Sequence, residues 1–223
     1  VALEIPRELL RIFTGLGDPT LLILGGLGLF LHLWSNEKQR ALAGSWAVAF
    51  VLCVLLTATS KLVFYLIAGS QQTSVVLRSP SGHAAIATGF YGCFALMLAA
   101  GRSQAVRTLL CVGTATLVGT LAASRFMLEL HTVPEVAAGL AIGVLSVAIF
   151  IVRMNGVRPV VLNVGQLAAL LILIGVAHSS RIDGEALIRQ LTQQIAVLPS
   201  AEATYVMEWP AKLAAQLGAT GNH

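Results

Sequence analysis

Charge is scarce in this chain of 223 residues. Asp, Glu, Lys and Arg together supply 11% of it, against 57% hydrophobic residues. With a mean hydropathy of +0.84, this balance excludes an ordinary water-soluble domain, in which about a quarter of the residues are charged. Cysteine is scarce as well. Cys53, Cys93 and Cys111 each fall inside an apolar run, so no disulfide framework is expected. There is no Cys-x-x-Cys and no His pair at helical spacing, so no metal site or other cofactor is expected either. Nothing ahead of the first apolar run reads as a cleavable signal peptide. The chain opens on Val rather than Met, so a few native residues are expected to precede it.

Long apolar runs are what the sequence has. Crossing a bilayer core of about 30 Å takes about 20 apolar residues in a helix. Six runs approach that length, over 18–34, 44–66, 82–100, 106–124, 132–152 and 160–178. They predict an all-α polytopic membrane bundle of six transmembrane helices, forming a single membrane-embedded domain over 1–223. Residues 1–17 precede the core of 18–178. Within them, 6–14 reads as a short amphipathic helix starting at Pro6, with Leu9, Leu10, Ile12 and Phe13 on its apolar face. The tail of 179–223 repeats apolar residues at Ile182, Ile188, Leu191, Ile195 and Leu198, which predicts a second interfacial helix. Tyr205 and Trp209 suit the headgroup level. Gly139 and Gly143 form a small-xxx-small pair in the fifth run, a packing feature.

Cations mark the sides. Lys38 and Arg40, Arg102 and Arg107, and Arg153 and Arg158 occupy three turns that share one face if all six runs cross. The positive-inside rule places that face in the cytoplasm. Both termini and the 67–81 and 125–131 loops then face outward, into the periplasm in a Gram-negative host. An inner-membrane protein with its polar motifs outside is therefore expected, with the bilayer as partner and no nucleic acid.

The chemistry-bearing residues gather at the ends of the runs on that outward face. Pro80-Ser81-Gly82-His83 opens the third run, and uncapped amides at a helix start form an anion site that Gly lets a phosphate approach closely. As a bland alternative, Pro-Ser-Gly is an ordinary turn. Ser124-Arg125 closes the fourth run, where Arg125 suits either an anion or snorkelling to headgroups. Lys61 stands near the end of the second, where an intramembrane charge marks function or a paired interior. His131 and Glu135 share one face at a spacing of four, and Pro134 is tolerated in a first helical turn. A carboxylate beside an imidazole fixes its tautomer and stabilises its cation; a structural capping pair is the alternative. Arg78 precedes the Pro-Ser-Gly-His turn, and Glu129 is expected to be solvated. His32, His178 and His223 stand apart, as interfacial or tail residues.

Pro80 to His83, with Ser124-Arg125, five residues and His131, resembles the type-2 phosphatidic acid phosphatase superfamily. These are lipid phosphate phosphatases that share a helical core with vanadium haloperoxidases. The resemblance covers roughly residues 55–150. It departs from the family pattern at Glu135, where the third motif carries Asp. The first motif, Lys followed six residues later by Arg-Pro, keeps Lys61 but has Ala68 and Gly69 in the Arg-Pro positions, and Arg78 is the cation left to substitute in space. The resemblance implies that His131 attacks phosphorus, Glu135 holds its far ring nitrogen and His83 serves as acid and then base. It further implies that Lys61, Arg78, Arg125, Ser81 and the Gly82 amide neutralise the phosphoryl oxygens, without a metal. A lipid phosphatase acting on polyprenyl diphosphate, phosphatidic acid, phosphatidylglycerophosphate or a glycolipid phosphate is expected. Transfer to a lipid hydroxyl, or a lipid-phosphate binding or transport subunit without chemistry, are the alternatives.

Overall fold

The structure is a computed structural model that describes Leu10 and residues 14–70 and 79–154. The predicted interfacial helix at 6–14 (Leu10 and Thr14 apart), the sixth run, the amphipathic tail, Arg78, His178 and His223 lie outside the described residues. Within them all regular structure is helical. The helices are α1 (Pro19–Ser35), a 3₁₀ turn (Glu37–Gln39), α2 (Arg40–Ser70), α3 (Gly82–Ala99), α4 (Gln104–Met127) and α5 (Val133–Met154). From α2 to α5 each helix is long and apolar enough to cross a membrane, whereas α1, with 17 residues, is shorter.

Local chemistry sets the helix ends. Asp18 caps α1, its Oδ1 accepting from Thr20 N at 2.8 Å and Leu21 N at 3.1 Å, and Pro19 fills a first-turn position that has no amide to satisfy. Asn36, in an extended conformation, stops α1 and starts the 3₁₀ turn by accepting from Lys38 N at 3.1 Å. Gly101 adopts φ 73°, the left-handed conformation that lets the chain reverse after α3. Ser103 then opens α4.

Two boundaries differ from the sequence reading in a way that matters. The second run was expected over 44–66, with Lys61 near its end, and α2 continues to Ser70. Leu62, Val63, Phe64, Tyr65 and Leu66 carry no breaking residue, so Lys61 sits well inside a helix, 5% exposed, rather than at its tip. The fourth run was expected to end at Ser124, whereas Ser124 and Arg125 belong to the last turn of α4.

α3 forms the centre of the bundle and packs on α5, α4, α2 and α1. At its middle Trp46, Phe50 and Phe90 interlock. Trp46 stacks on Phe50 at 4.7 Å between centroids, and Phe90 meets both edge-on. The Trp46 indole N–H donates to the Gly26 carbonyl at 3.1 Å, so the aromatic cluster is satisfied as well as buried. Close approach of α5 to α3 depends on Gly139 and Gly143. A Cβ at Gly139 would collide with the Ser81 carbonyl oxygen, and one at Gly143 with Thr88 and the Ala85 carbonyl. The predicted packing pair thus seats α5 against the opening turn of α3.

Candidate active site

The α3 start is built as expected for Pro-Ser-Gly-His. Ser81, fully buried, is the N-cap residue; its Oγ accepts from Ala84 N at 3.5 Å and its carbonyl accepts from Ala85 N at 3.0 Å. Its own amide donates to the Glu135 carbonyl at 2.9 Å, which joins the second motif directly to the third. Beside this junction Lys61 lies along Gly82, with its Cε about 3.3 Å from where a Gly82 Cβ would stand. The glycine therefore makes room for the lysine as well as for an approaching ligand.

The α5 start carries the imidazole. Thr132-Val133-Pro134-Glu135 has the capping-box pattern, and the Glu135 Oε2 accepts from the Thr132 amide at 3.1 Å. The same oxygen meets His131 Nδ1 at 3.0 Å. The carboxylate does both jobs, capping the helix and orienting the histidine. An ionised carboxylate can only accept, so Nδ1 carries the hydrogen and Nε2 keeps its lone pair. The His131 and Glu135 side chains are 8% and 2% exposed.

The α4 end completes the junction. The Arg125 carbonyl accepts from Leu130 N at 3.1 Å and His131 N at 3.3 Å, winding the loop back onto the helix end. Ser124 is fully buried; its Oγ donates to the Leu121 carbonyl at 2.8 Å. That commits its single hydrogen, so in the 2.7 Å contact between Thr14 Oγ1 and Ser124 Oγ the threonine is the donor.

Lys61, Arg125 and Glu135 are all buried. Among the described residues this places two cations and one carboxylate around the imidazole, a charge set that suits an anionic ligand. The field is felt at the imidazole. Burial lowers the His131 pKa below its ordinary value of 6.5, and the neighbouring Arg125 and Lys61 charges lower it further, against the raising effect of Glu135. The balance favours the neutral imidazole.

His83, on the first turn of α3, faces a cavity of about 360 Å³ lined also by Thr14, Gly15, Asp18, Met127, Leu128, Glu129 and Leu130. Glu129 is exposed as expected, but it borders this cavity. The structure therefore brings together Lys61, Ser81, Gly82, Arg125, His131 and Glu135, and sets His83 on the adjoining cavity. Sequence reasoning missed the contribution of Thr14 to Asp18. The signal was present, because Asp18-Pro19 is a helix-opening pair, and alternation of direction puts that opening on the same side as the motifs.

A curated relative from Klebsiella pneumoniae, described as an uncharacterized 22.5 kDa protein in cps region, is 28% identical over 142 residues, covering 64% of this chain and 68% of that one. No solved structure gives a significant match. A family model, that of the PAP2 superfamily, matches residues 22–158, a stretch that includes Pro80 to His83, Ser124-Arg125, His131, the helices carrying them and Lys61. With most of its length matched and the motif residues joined at one end of the bundle, the chain belongs to the PAP2 superfamily, membership that suggests phosphatase activity on phosphate esters.

Proposed function

We propose that this protein is an integral-membrane lipid phosphatase that works through a phosphohistidine. The observation that carries the reading is the half-buried His131, tethered at Nδ1 by Glu135 and set in the field of Lys61 and Arg125, which together with burial favours its neutral form. Binding a phosphate needs only the cations. A lone pair held free at Nε2 beside them is what a nucleophile needs.

His131 Nε2 attacks phosphorus in line, and the bond from phosphorus to the ester oxygen breaks. That oxygen leaves with the electron pair and takes a proton from His83. In the second step His83 removes a proton from water, and the hydroxide attacks phosphorus. The phosphorus–nitrogen bond breaks, its electrons return to Nε2, and inorganic phosphate departs. Lys61, Arg125, the Ser81 hydroxyl and the Gly82 amide face the developing charge on the equatorial oxygens, with Arg78 as a further cation. Electrostatic stabilisation of this kind supplies most of the acceleration in phosphoryl transfer.

A lipid ester suits the surroundings. Phe126, Met127, Leu130 and Val133, which flank the site, are 54%, 46%, 52% and 59% exposed. Apolar side chains at that density beside a polar pocket fit an amphiphilic substrate drawn from the bilayer interface. The charge pattern of the turns favours an inner-membrane location with the site on the outer face.

Purified protein in detergent, given lipid phosphates with a chelator present, is expected to release inorganic phosphate. His131→Ala is expected to lower turnover by about 10⁴-fold or more, as loss of a nucleophile does, and acid-labile phosphate is expected on His131 after rapid quenching. Undiminished turnover in His131→Ala would exclude the mechanism.

A further inference from the structure

The cavity beside His83 has a direction. Its lining includes His83 but not His131, Lys61 or Arg125. If His131 attacks from one side of phosphorus and His83 protonates the oxygen leaving on the other, the departing group lies on the His83 side. This cavity is then the place for it, and its volume of about 360 Å³ suits a small headgroup.

Its walls are particular. Asp18 and Glu129 both border it, with the Thr14 hydroxyl and the small Gly15 between Met127, Leu128 and Leu130. Asp18 is held in place by its own helix through Oδ1. Glu129 follows the C-cap residue Leu128 with φ 56°, a left-handed position where Gly or Asn is the easy choice. A glutamate there costs about 1 kcal/mol of backbone strain, and what it adds over glycine is a carboxylate at the cavity. Carboxylates accept hydrogen bonds and repel anions. A protonated His83 in the same wall disfavours a cation.

We infer that the group leaving phosphorus is uncharged and hydroxyl-bearing, a glycerol or sugar unit of a lipid headgroup, with Asp18 and Glu129 accepting from its hydroxyls. This rests on the phosphatase reading and narrows its substrate class: a diphosphate, whose leaving group is itself anionic, is disfavoured. Asp18 and Glu129 are thereby specificity-determining residues.

Three lipids in one detergent separate the cases. The lysophosphatidic acid leaving group is an uncharged monoacylglycerol with a free hydroxyl beside the ester, that of phosphatidic acid is uncharged and carries none, and that of farnesyl diphosphate is the anion farnesyl phosphate. The expected order of kcat/KM is the order just given, with the first exceeding the last by about tenfold or more. In the double variant Asp18→Asn with Glu129→Gln the order is expected to flatten, chiefly because farnesyl diphosphate improves. Asn keeps the oxygen that caps α1, so folding is retained, which an unchanged melting temperature checks. Equal or better use of farnesyl diphosphate by the wild type overturns the inference while leaving the phosphatase reading intact. So does an unaltered preference in the folded double variant. Phosphate release from none of the three overturns the phosphatase reading and the inference together.

Discussion

α3 opens with the Pro-Ser-Gly-His motif and α4 ends with the Ser-Arg pair of the third, yet they sit in the protein in opposite ways. Of the apolar span of α3, 67% is buried inside the protein, against 11% for α4. What α4 does bury is concentrated at one end, in Leu121, Ala122, Ser124 and Arg125. Burial along a helix therefore does not mark its role. α3 is central because every neighbour needs it, while α4 is fastened to the bundle chiefly by the turn that bears Ser124 and Arg125. The fastening is part apolar, with Leu121 in the main core and Ala122 against Ala84 and Val136, and part polar, through Thr14 on Ser124. A helix held this way can present its remaining face to lipid without loss to the site.

If the anchored end of α4 is where its function lies, the largest effect within that helix belongs there. Arg125→Ala is expected to lower kcat by about 10²–10³-fold, the usual consequence of deleting one preorganised charge-stabilising donor. Steady-state phosphate release measures it. A loss under tenfold would mean that the buried end of α4 serves packing alone, and the contrast with its exposed face would lose its meaning.

The same end sets a proton equilibrium. Burial, then Arg125 and Lys61, hold the His131 pKa below 6.5. On the proposed mechanism the nucleophile is therefore unprotonated at neutral pH and is lost on acidification. With the ionisation of the substrate phosphate subtracted, kcat/KM is expected to fall about tenfold per pH unit below that lowered pKa. Arg125→Ala removes one of the depressing charges, so its acid inflection is expected to move upward. An inflection that stays where it was would separate Arg125 from the imidazole.

How much of this was readable beforehand differs between residues for physical reasons. Six apolar runs are visible because hydropathy accumulates along the chain, and five of them are helices among the described residues; the sixth lies outside these. The motif turns were visible because Pro, Ser, Gly and His together break an apolar pattern. The burial of Lys61 was not, since the run of 44–66 shows five apolar residues beyond it but not that Gly82 at the start of α3 packs over its side chain. Glu135 read as either orienter or cap, and it is bonded as both, something a spacing of four cannot express. Thr14 and Asp18 approach the site from more than a hundred residues away from Ser124, and no periodicity reports a contact of that range. The missing Arg-Pro of the first motif stays with Arg78, outside the described residues.

The contrast between helices is sharpest in glycine. At Gly139 on α5 an added Cβ meets the Ser81 carbonyl oxygen and lies about 3.2 Å from the Ala84 Cβ. Neither is the end of a flexible side chain, so α5 must shift away from α3. Gly139→Ala is expected to destabilise the protein by about 1–3 kcal/mol, as overpacking does. It should also lower activity, because the shift separates the Glu135 carbonyl from the Ser81 amide. A melting temperature in detergent and an activity assay on the same preparation check both.

Gly113, on the exposed face of α4, is the same residue type with nothing within 4 Å of an added Cβ. Here alanine removes the entropic cost of glycine in a helix and creates no contact, so Gly113→Ala is expected to be neutral or to stabilise by up to about 1 kcal/mol. Activity should be unchanged. The two substitutions add one methyl group each, and the expected shifts in melting temperature have opposite signs. A destabilisation at Gly113 comparable to that at Gly139 would mean that the open face of α4 is covered in the working protein by another surface. α4 would then be an interior helix like α3, fastened along its whole length rather than at its end.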